Sequence, residues 1–295
     1  MKTARPRCPN VACANHTAPS VGFYMKKGYR KPKHNHQPVP RYQCKTCGRN
    51  FSATTNKSIR QHHRPDLNAQ VFRLAVSGVS MRRMEVLLGC DKKTIRRKVT
   101  YLVEQTQKAH TVHLAKLRTA YVMMDELETF IHARYKQVSV PVVVRVKTGE
   151  ILAFDVVRMP SKMKQGNIGN AWVLDDRPKI VPAVLARAAP LLKEHAIIAT
   201  DGGPSYPKWI QRALPGVQHR VVQSPKETNL GRSQKKASGE PRERDPLFAI
   251  NLTFAKMRND LARLGRKTWT TSKSIEGLRN HLWLYVAWVN GYRLR

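Results

Sequence analysis

The chain is short of negative charge. Only 19 of its 295 residues are Asp or Glu against 54 Lys and Arg, a formal net charge of +35. That is far more than solubility needs, and such a chain repels itself unless a polyanion compensates. Long apolar runs are also missing. None approaches ~18 residues, so no membrane-spanning helix is expected. The start, Met1-Lys2-Thr3-Ala4-Arg5-Pro6-Arg7, leads into no apolar stretch and does not read as a secretory signal. No basic amphipathic helix with a large apolar face stands out, which sets a membrane surface behind nucleic acid as the polyanion. Wholesale disorder is excluded by what is present: 41% of the residues are apolar, enough for a real core. At ~150 residues per domain the length accommodates about two domains and a small extra module.

The excess charge is uneven. Residues 1–120 hold 25 Lys and Arg against 4 acids, net +21, and residues 121–295 hold 29 against 15, net +14. The first part therefore reads as a docking region, and the acids collect in the second.

Cysteine is scarce, but four of the five fall into pairs: Cys8 and Cys13, then Cys44 and Cys47 thirty residues further on. Zinc takes about four thiolate or imidazole ligands in a tetrahedron, and paired cysteines on tight turns supply them. Gly48 lets the backbone fold over a metal, and Tyr42 and Phe51 flank the second pair. The segment reads as a zinc ribbon. Disulfides, or two pairs that never meet, are the alternatives, and disulfides are rare in the cytosol, where a basic chain without a signal is expected to reside. His16, His34 and His36 are expected to be loop histidines rather than ligands.

From residue 65 the pattern becomes helical. A helix runs from Pro65 through Ala75, a turn spans Ser77–Met81, and a short helix covers Arg82–Leu88. Gly89-Cys90-Asp91 breaks it, with Asp91 a natural N-cap for a basic helix from Lys92. Short helix, glycine turn and basic helix make a helix-turn-helix pattern, which would offer Lys92, Lys93, Arg96 and Arg97 to DNA with Leu88 and Ile95 inside. An ordinary helical pair with a solvated basic face is the alternative. Cys90 is expected to be a small buried residue.

From Ala120 the pattern turns to strands. An apolar stretch ends at Asp125-Glu126-Leu127-Glu128, and β-branched strands over Gln137–Val146 and Ile151–Val157 complete an antiparallel meander. A helix is expected near Lys179–His195, starting around Pro182. A buried strand, Ala196–Thr200, ends at Asp201-Gly202-Gly203-Pro204. A helix from Tyr206 and a strand over His219–Val222 follow. This order, in a mixed α/β class, is that of an RNase H-like domain. Asp125 and Asp201 each sit just past a short apolar strand. Side by side, two carboxylates are costly unless a divalent cation sits between them. Mg²⁺ held so serves phosphoryl transfer. Each aspartate could instead cap a strand end.

With these residues in view the sequence resembles insertion-sequence transposases of the DDE class, in particular those with an amino-terminal zinc ribbon, a helix-turn-helix and an RNase H-like catalytic domain. The carrying segments are Arg41–Gly48, Met124–Phe130, Thr200–Pro207 and the stretch from Asp245 through Asn290, and together they span nearly the whole chain. The resemblance implies that Asp125 and Asp201 are the first two catalytic acids and that they hold Mg²⁺ or Mn²⁺. The third position, in the first turns of a helix, reads Asn251 where the family usually has Glu. Arg258 follows seven residues later on the same helix face. An amide oxygen can ligate Mg²⁺ or orient a water but adds no charge. Two readings stay open: a working enzyme with an Asp-Asp-Asn set, or a decayed or domesticated copy. Glu243 and Asp245 are possible stand-in carboxylates. Glu126 and Glu128 are expected to point away from Asp125.

The implied activity is metal-dependent cleavage of element ends and strand transfer on double-stranded DNA. It would be carried out by a homo-oligomer on DNA, cytoplasmic and nucleoid-associated. The expected organisation is a zinc ribbon over 1–55, a helix-turn-helix over 56–118, the catalytic domain over 119–265 and a helical segment over 266–295. Between Gln223 and Asp245 a polar, basic arm is expected to be a loop that orders on DNA or a solvated connector. Arg263, Arg266, Lys267 and Lys273 are expected to extend the basic face past Arg258 as phosphate contacts. Trp269, Trp283, Tyr285 and Trp288 recur in the terminal segment, where Leu282, Tyr285, Val286 and Val289, at helical spacing, are expected to pack it onto the core rather than stack on bases.

Overall fold

A computed structural model describes residues 6–31, 38–52, 55, 64–161, 174–222, 245–265 and 268–292. The chain divides into two compact units, Met1–Gln70 and Val71–Arg295. His34, His36, Glu243, Arg266, Lys267 and the whole arm over 223–244 lie outside the described residues.

The first unit is a three-stranded antiparallel sheet, β1 (Tyr24–Arg30), β2 (Val39–Cys44) and β3 (Asn50–Ser52), preceded by one helical turn, α1 (Ala14–Thr17). Its core is small. Phe23 stacks on Phe51 with centroids 6.0 Å apart, and Tyr24 meets Tyr42 at 4.7 Å. The remainder of that core is Cys8, Cys13 and Cys44. So few apolar groups do not hold a domain of this size without a staple.

The boundary between the units falls inside α2 (Leu67–Val76), and α3 (Met81–Leu88) and α4 (Lys92–Ala115) follow. Ser80 caps α3 by accepting from the Arg83 N–H, and Gly89 ends it in the left-handed region at φ 55°. Asp91 then caps α4 by accepting from the Lys93 N–H at 2.6 Å. α4 is 24 residues long, and its buried side includes Ile95, Leu102 and Thr106.

The sheet of the second unit contains β4 (Thr119–Phe130), β5 (Gln137–Arg145), β6 (Ile151–Phe154), β7 (Val157–Arg158), β8 (Leu192–Thr200) and β9 (Gln218–Val221). The strand order is β6-β5-β4-β8-β9, with β7 also paired to β5. The β6-β5-β4 part is antiparallel, and β8 and β9 add in parallel. The fold is therefore mixed α/β on a mixed sheet. One face packs α5 (Arg177–Ala188) and α6 (Tyr206–Ala213) against Val122, Met124 and Val143. The other packs α7 (Phe248–Asp260) and α8 (Ile275–Val289) against Met123, Leu127 and Val142. Alternation along β4 assigns odd residues to the α7 side and even ones to the α5 side.

Several expected boundaries move. β4 does not stop before Asp125 but runs on to Phe130, because β5 pairs with it through Phe130–Gln137. α5 starts at Arg177, with Pro182 inside it; the ring is buried beside Val181 and Leu185, which offsets the one backbone bond it cannot make. That helix is followed by a 3-10 turn, and β8 already begins at Leu192. His195, expected at a helix end, takes φ 56° where the β4–β8 register shifts. α7 ends at Asp260, followed by a 3-10 turn at Ala262–Leu264, so no single helix face continues from Arg258 to Arg263. Cys90 is only partly buried.

Candidate functional site

In the first unit the sulfurs of Cys8, Cys13, Cys44 and Cys47 all lie within 4.8 Å of one another. Cys8 and Cys47 are 3.4 Å apart, and Cys13 and Cys44 3.9 Å. The edge of a thiolate tetrahedron around zinc is about 3.8 Å, so the donor set fits. Two turns deliver it: the Cys13 N–H donates to the Asn10 carbonyl, and the Gly48 N–H to that of Cys44, with Gly48 at φ 69°. Burial pushes the Cys8 thiol up to about 12, whereas the Arg49 backbone N–H holds exposed Cys47 down at about 7. His16 takes no part; its Nδ1 lies 2.7 Å from the Cys8 carbonyl.

In the second unit the parallel pairing of β4 and β8 matches Met123 with Ala199. Two residues further along each chain stand Asp125 and Asp201, beyond the last pair. Asp125 has the parity of Met123, on the α7 side, whereas Asp201 lies just past the end of β8. β8 stops at Thr200 while β4 continues, so both aspartates lie at that step of the sheet. Their proximity shows in the charge balance. Burial, with the charges of Asp201 and Glu126, pushes Asp125 up to about 7 against the pull of the Glu126 N–H bond. Asp201 is held by the Gly203 N–H, which donates to its Oδ1 at 3.1 Å.

Glu126 leaves the opposite face of β4, as the alternation requires, but it is not a surface group. Ser139 Oγ donates to it at 2.7 Å, and burial raises its pKa. Tyr206 on α6 reaches both sides. Its hydroxyl lies 3.4 Å from Asp125 Oδ1 and 3.5 Å from Glu126 Oε2. A Cβ on Gly203 would come within 2.8 Å of the Tyr206 ring and 3.2 Å of Asp201 Oδ1, so only glycine leaves room for this arrangement. Sequence reasoning missed Tyr206; the available signal was an aromatic one helical turn after the Asp201-Gly202-Gly203 turn.

α7 covers this face with Ile250, Phe254 and Met257. Asn251, next to Ile250, is exposed. Its Nδ2 donates to Asp245 Oδ2 at 2.7 Å, while Asp245 Oδ1 accepts from the Leu247 N–H at 2.9 Å. Both oxygens of Asp245 are thus engaged within the start of α7, and the residue positions Asn251. Arg258 lies two turns further along the helix. Among the described residues the four cysteines are the one group of three or more His, Cys, Asp or Glu gathered closely enough for a metal. Asp125 and Asp201 are thus a pair of carboxylates, and Asn251 is engaged with Asp245 at the start of α7.

Lys92, Lys93, Arg96 and Arg97 all stand exposed on the first turns of α4, opposite buried Ile95. Arg263 is different from its expectation: it is half-buried, with Nη1 donating to Ser272 Oγ at 3.5 Å, and burial lowers its pKa. Leu282, Tyr285 and Val286 are buried as expected and Val289 is exposed; Trp283 packs on Phe154 at 4.8 Å, while Trp269 and Trp288 are exposed. No helix among the described residues is long and apolar enough to cross a membrane. No protein-family model matches the chain, and no curated protein matches it.

Proposed function

We propose that the chain is a DNA transposase of the DDE class with an Asp-Asp-Asn catalytic set on an RNase H-like domain. The observation that carries this reading is the β4–β8 register, which sets Asp125 and Asp201 at the same step of the sheet, close enough for the charge of Asp201 to act on Asp125. Two carboxylates forced together in a chain of net charge +35 need a reason, and a divalent cation between them is the chemical one. Mg²⁺ or Mn²⁺ bound there would stabilise charge on the attacking and leaving oxygens of a phosphodiester. Asp125 and Asp201 would hold it, the Asn251 oxygen would complete the site or orient a water, and Arg258 would contact the strand near the scissile phosphate. In this reading hydrolysis frees a 3′-hydroxyl at the element end, and that hydroxyl attacks a target phosphodiester in line. The exposed cations of α4 would dock on the phosphates of double-stranded DNA, and the thiol cluster, holding structural zinc, would support recognition of the ends.

Incubating the protein with DNA flanking its own coding sequence, with Mg²⁺ or Mn²⁺, tests this. Cleavage that disappears in Asp125→Ala, and joining of pre-cleaved ends to a target, are expected. Cleavage without joining would make the chain a nuclease. Tight, specific DNA binding with no cleavage under either metal would make it a regulator that has lost catalysis, the reading that the missing charge at Asn251 favours.

A further inference from the structure

Trp269 is fully exposed, at 101% of its reference area, the most exposed large apolar side chain among the described residues. An indole left wholly in water is unusual, because its burial is worth more than that of almost any other side chain. Here the backbone holds it out. The segment is fastened to the end of β4: Ser272 bridges Ile131, and the His132 N–H donates to the Ser272 carbonyl at 2.8 Å. Thr271 Oγ1 donates to the His132 carbonyl at 3.4 Å, and half-buried Arg263 Nη1 donates to Ser272 Oγ at 3.5 Å. Around the tryptophan, Thr268 and Thr270 hydroxyls pair at 2.8 Å, and the Thr271 N–H donates to the Trp269 carbonyl at 3.0 Å. The indole therefore stands on a tied turn.

The charge of the segment's sequence selects the occupant. Between Asp260 and Glu276 the chain has Arg263, Arg266, Lys267 and Lys273 and not one acid. Lys273 Nζ is held to Thr271 Oγ1 at 3.1 Å, on the same turn. An aromatic face amid cations is the chemistry that takes a nucleobase by stacking and its phosphates by charge. A base inside a duplex has no free face, so the base must be unpaired or flipped out. Six residues of strand separate Asp125 from Ile131, about 20 Å at ~3.3 Å per residue, so the turn meets the nucleic acid away from the aspartates.

We propose that Trp269 is a stacking platform for an unpaired base of a bound nucleic acid strand. This rests on the nucleic-acid binding of the preceding reading but not on its chemistry. The test compares wild type, Trp269→Ala and Trp269→Phe in binding three labelled probes: oligothymidylate, a sugar-phosphate chain of abasic residues, and a blunt duplex. Trp269→Ala is expected to weaken oligothymidylate binding roughly 5- to 100-fold while leaving the abasic chain and the duplex unchanged. Trp269→Phe is expected to recover most of the loss. A fully exposed side chain supports no packing, so an unchanged melting temperature accompanies this result. Unchanged oligothymidylate affinity in Trp269→Ala overturns the proposal, as does an equal loss on the abasic chain. A variant that alters only self-association in sedimentation overturns it too, in favour of a protein contact. If wild type binds none of the three probes, the preceding reading falls with it; if wild type binds and the variant matches it, the stacking proposal falls alone.

Discussion

The Tyr206 hydroxyl stands 3.4 Å from Asp125 Oδ1 and 3.5 Å from Glu126 Oε2, so one side chain of α6 spans two carboxylates that leave opposite faces of β4. This ties the orientation of Asp125 to a helix on the far side of the sheet. Carboxylates held by a neutral donor keep their geometry when a cation binds, which is the purpose of such supporting bonds around metal sites.

Tyr206→Phe removes the donor and keeps the ring. Mn²⁺ affinity, read by calorimetry or by Mn²⁺ electron spin resonance, is expected to fall about 3- to 10-fold, in line with one lost hydrogen bond. Gly203→Ala is expected to do more, because its Cβ meets both the Tyr206 ring and Asp201. Equal affinities in Tyr206→Phe and wild type would reduce Tyr206 to a packing residue.

Asp125 makes the protein sensitive to pH. An unfolded aspartate titrates near 3.8, and in the folded chain burial and Asp201 push Asp125 up to about 7. Between those values the folded state binds a proton that the unfolded state does not. Stability without metal therefore falls as pH rises through this window and is lowest from about 7 upward. Cation binding runs the other way, because only the carboxylate ligates. Asp125→Asn is expected to stabilise the metal-free protein at about pH 8 by on the order of 2–4 kcal/mol, and hardly at about pH 4. It is also expected to abolish stabilisation by Mn²⁺. Thermal unfolding across pH with and without the metal checks both halves.

Zinc removal is expected to act on one unit. Chelation, or Cys44→Ser, takes away the staple of a core that otherwise consists of a few aromatics, and a structural zinc site is itself folding free energy. Hydrogen exchange should show β1–β3 losing protection while β4, β5 and β8 keep theirs. Retained protection in the first unit after complete zinc loss, measured by atomic absorption, would count against a structural metal.

Asn251 is held by Asp245, and the pair makes a prediction that separates positioning from ligation. Asp245→Asn should keep the helix-start bond to the Leu247 N–H but lose the charge-assisted one to Asn251. It is expected to lower Mn²⁺ affinity severalfold, by about 1 kcal/mol. Asn251→Ala should lower it at least as far. Asn251→Asp, which puts two carboxylates where one bond was, is expected to destabilise the start of α7 in thermal unfolding, and Asp245→Asn should relieve that loss in the double variant.

Much of this molecule is written locally. Cys8, Cys13, Cys44 and Cys47 announce a cluster because their spacing implies turns, and Ser80, Gly89 and Asp91 mark helix ends because capping is a matter of two or three neighbouring residues. The alternation after Ala120 foretold a meander, although not that β4 would run past Asp125; that length is decided by β5, which pairs with it. Tertiary structure alone decided the rest. Asp125 and Asp201 stand at one step of the sheet because β8 lies parallel to β4 in one register and ends where it does, a relation between segments far apart in the chain. Arg263 and Trp269 show the same limit from the other side. One is a cation that reads as surface and is half-buried, bonded to Ser272; the other is an aromatic, a residue type that gains from burial, and stands in water. Residue type states what burial is worth, but the neighbours that would accomplish it are brought by other elements. For Trp269, the turn tied to the end of β4 provides none.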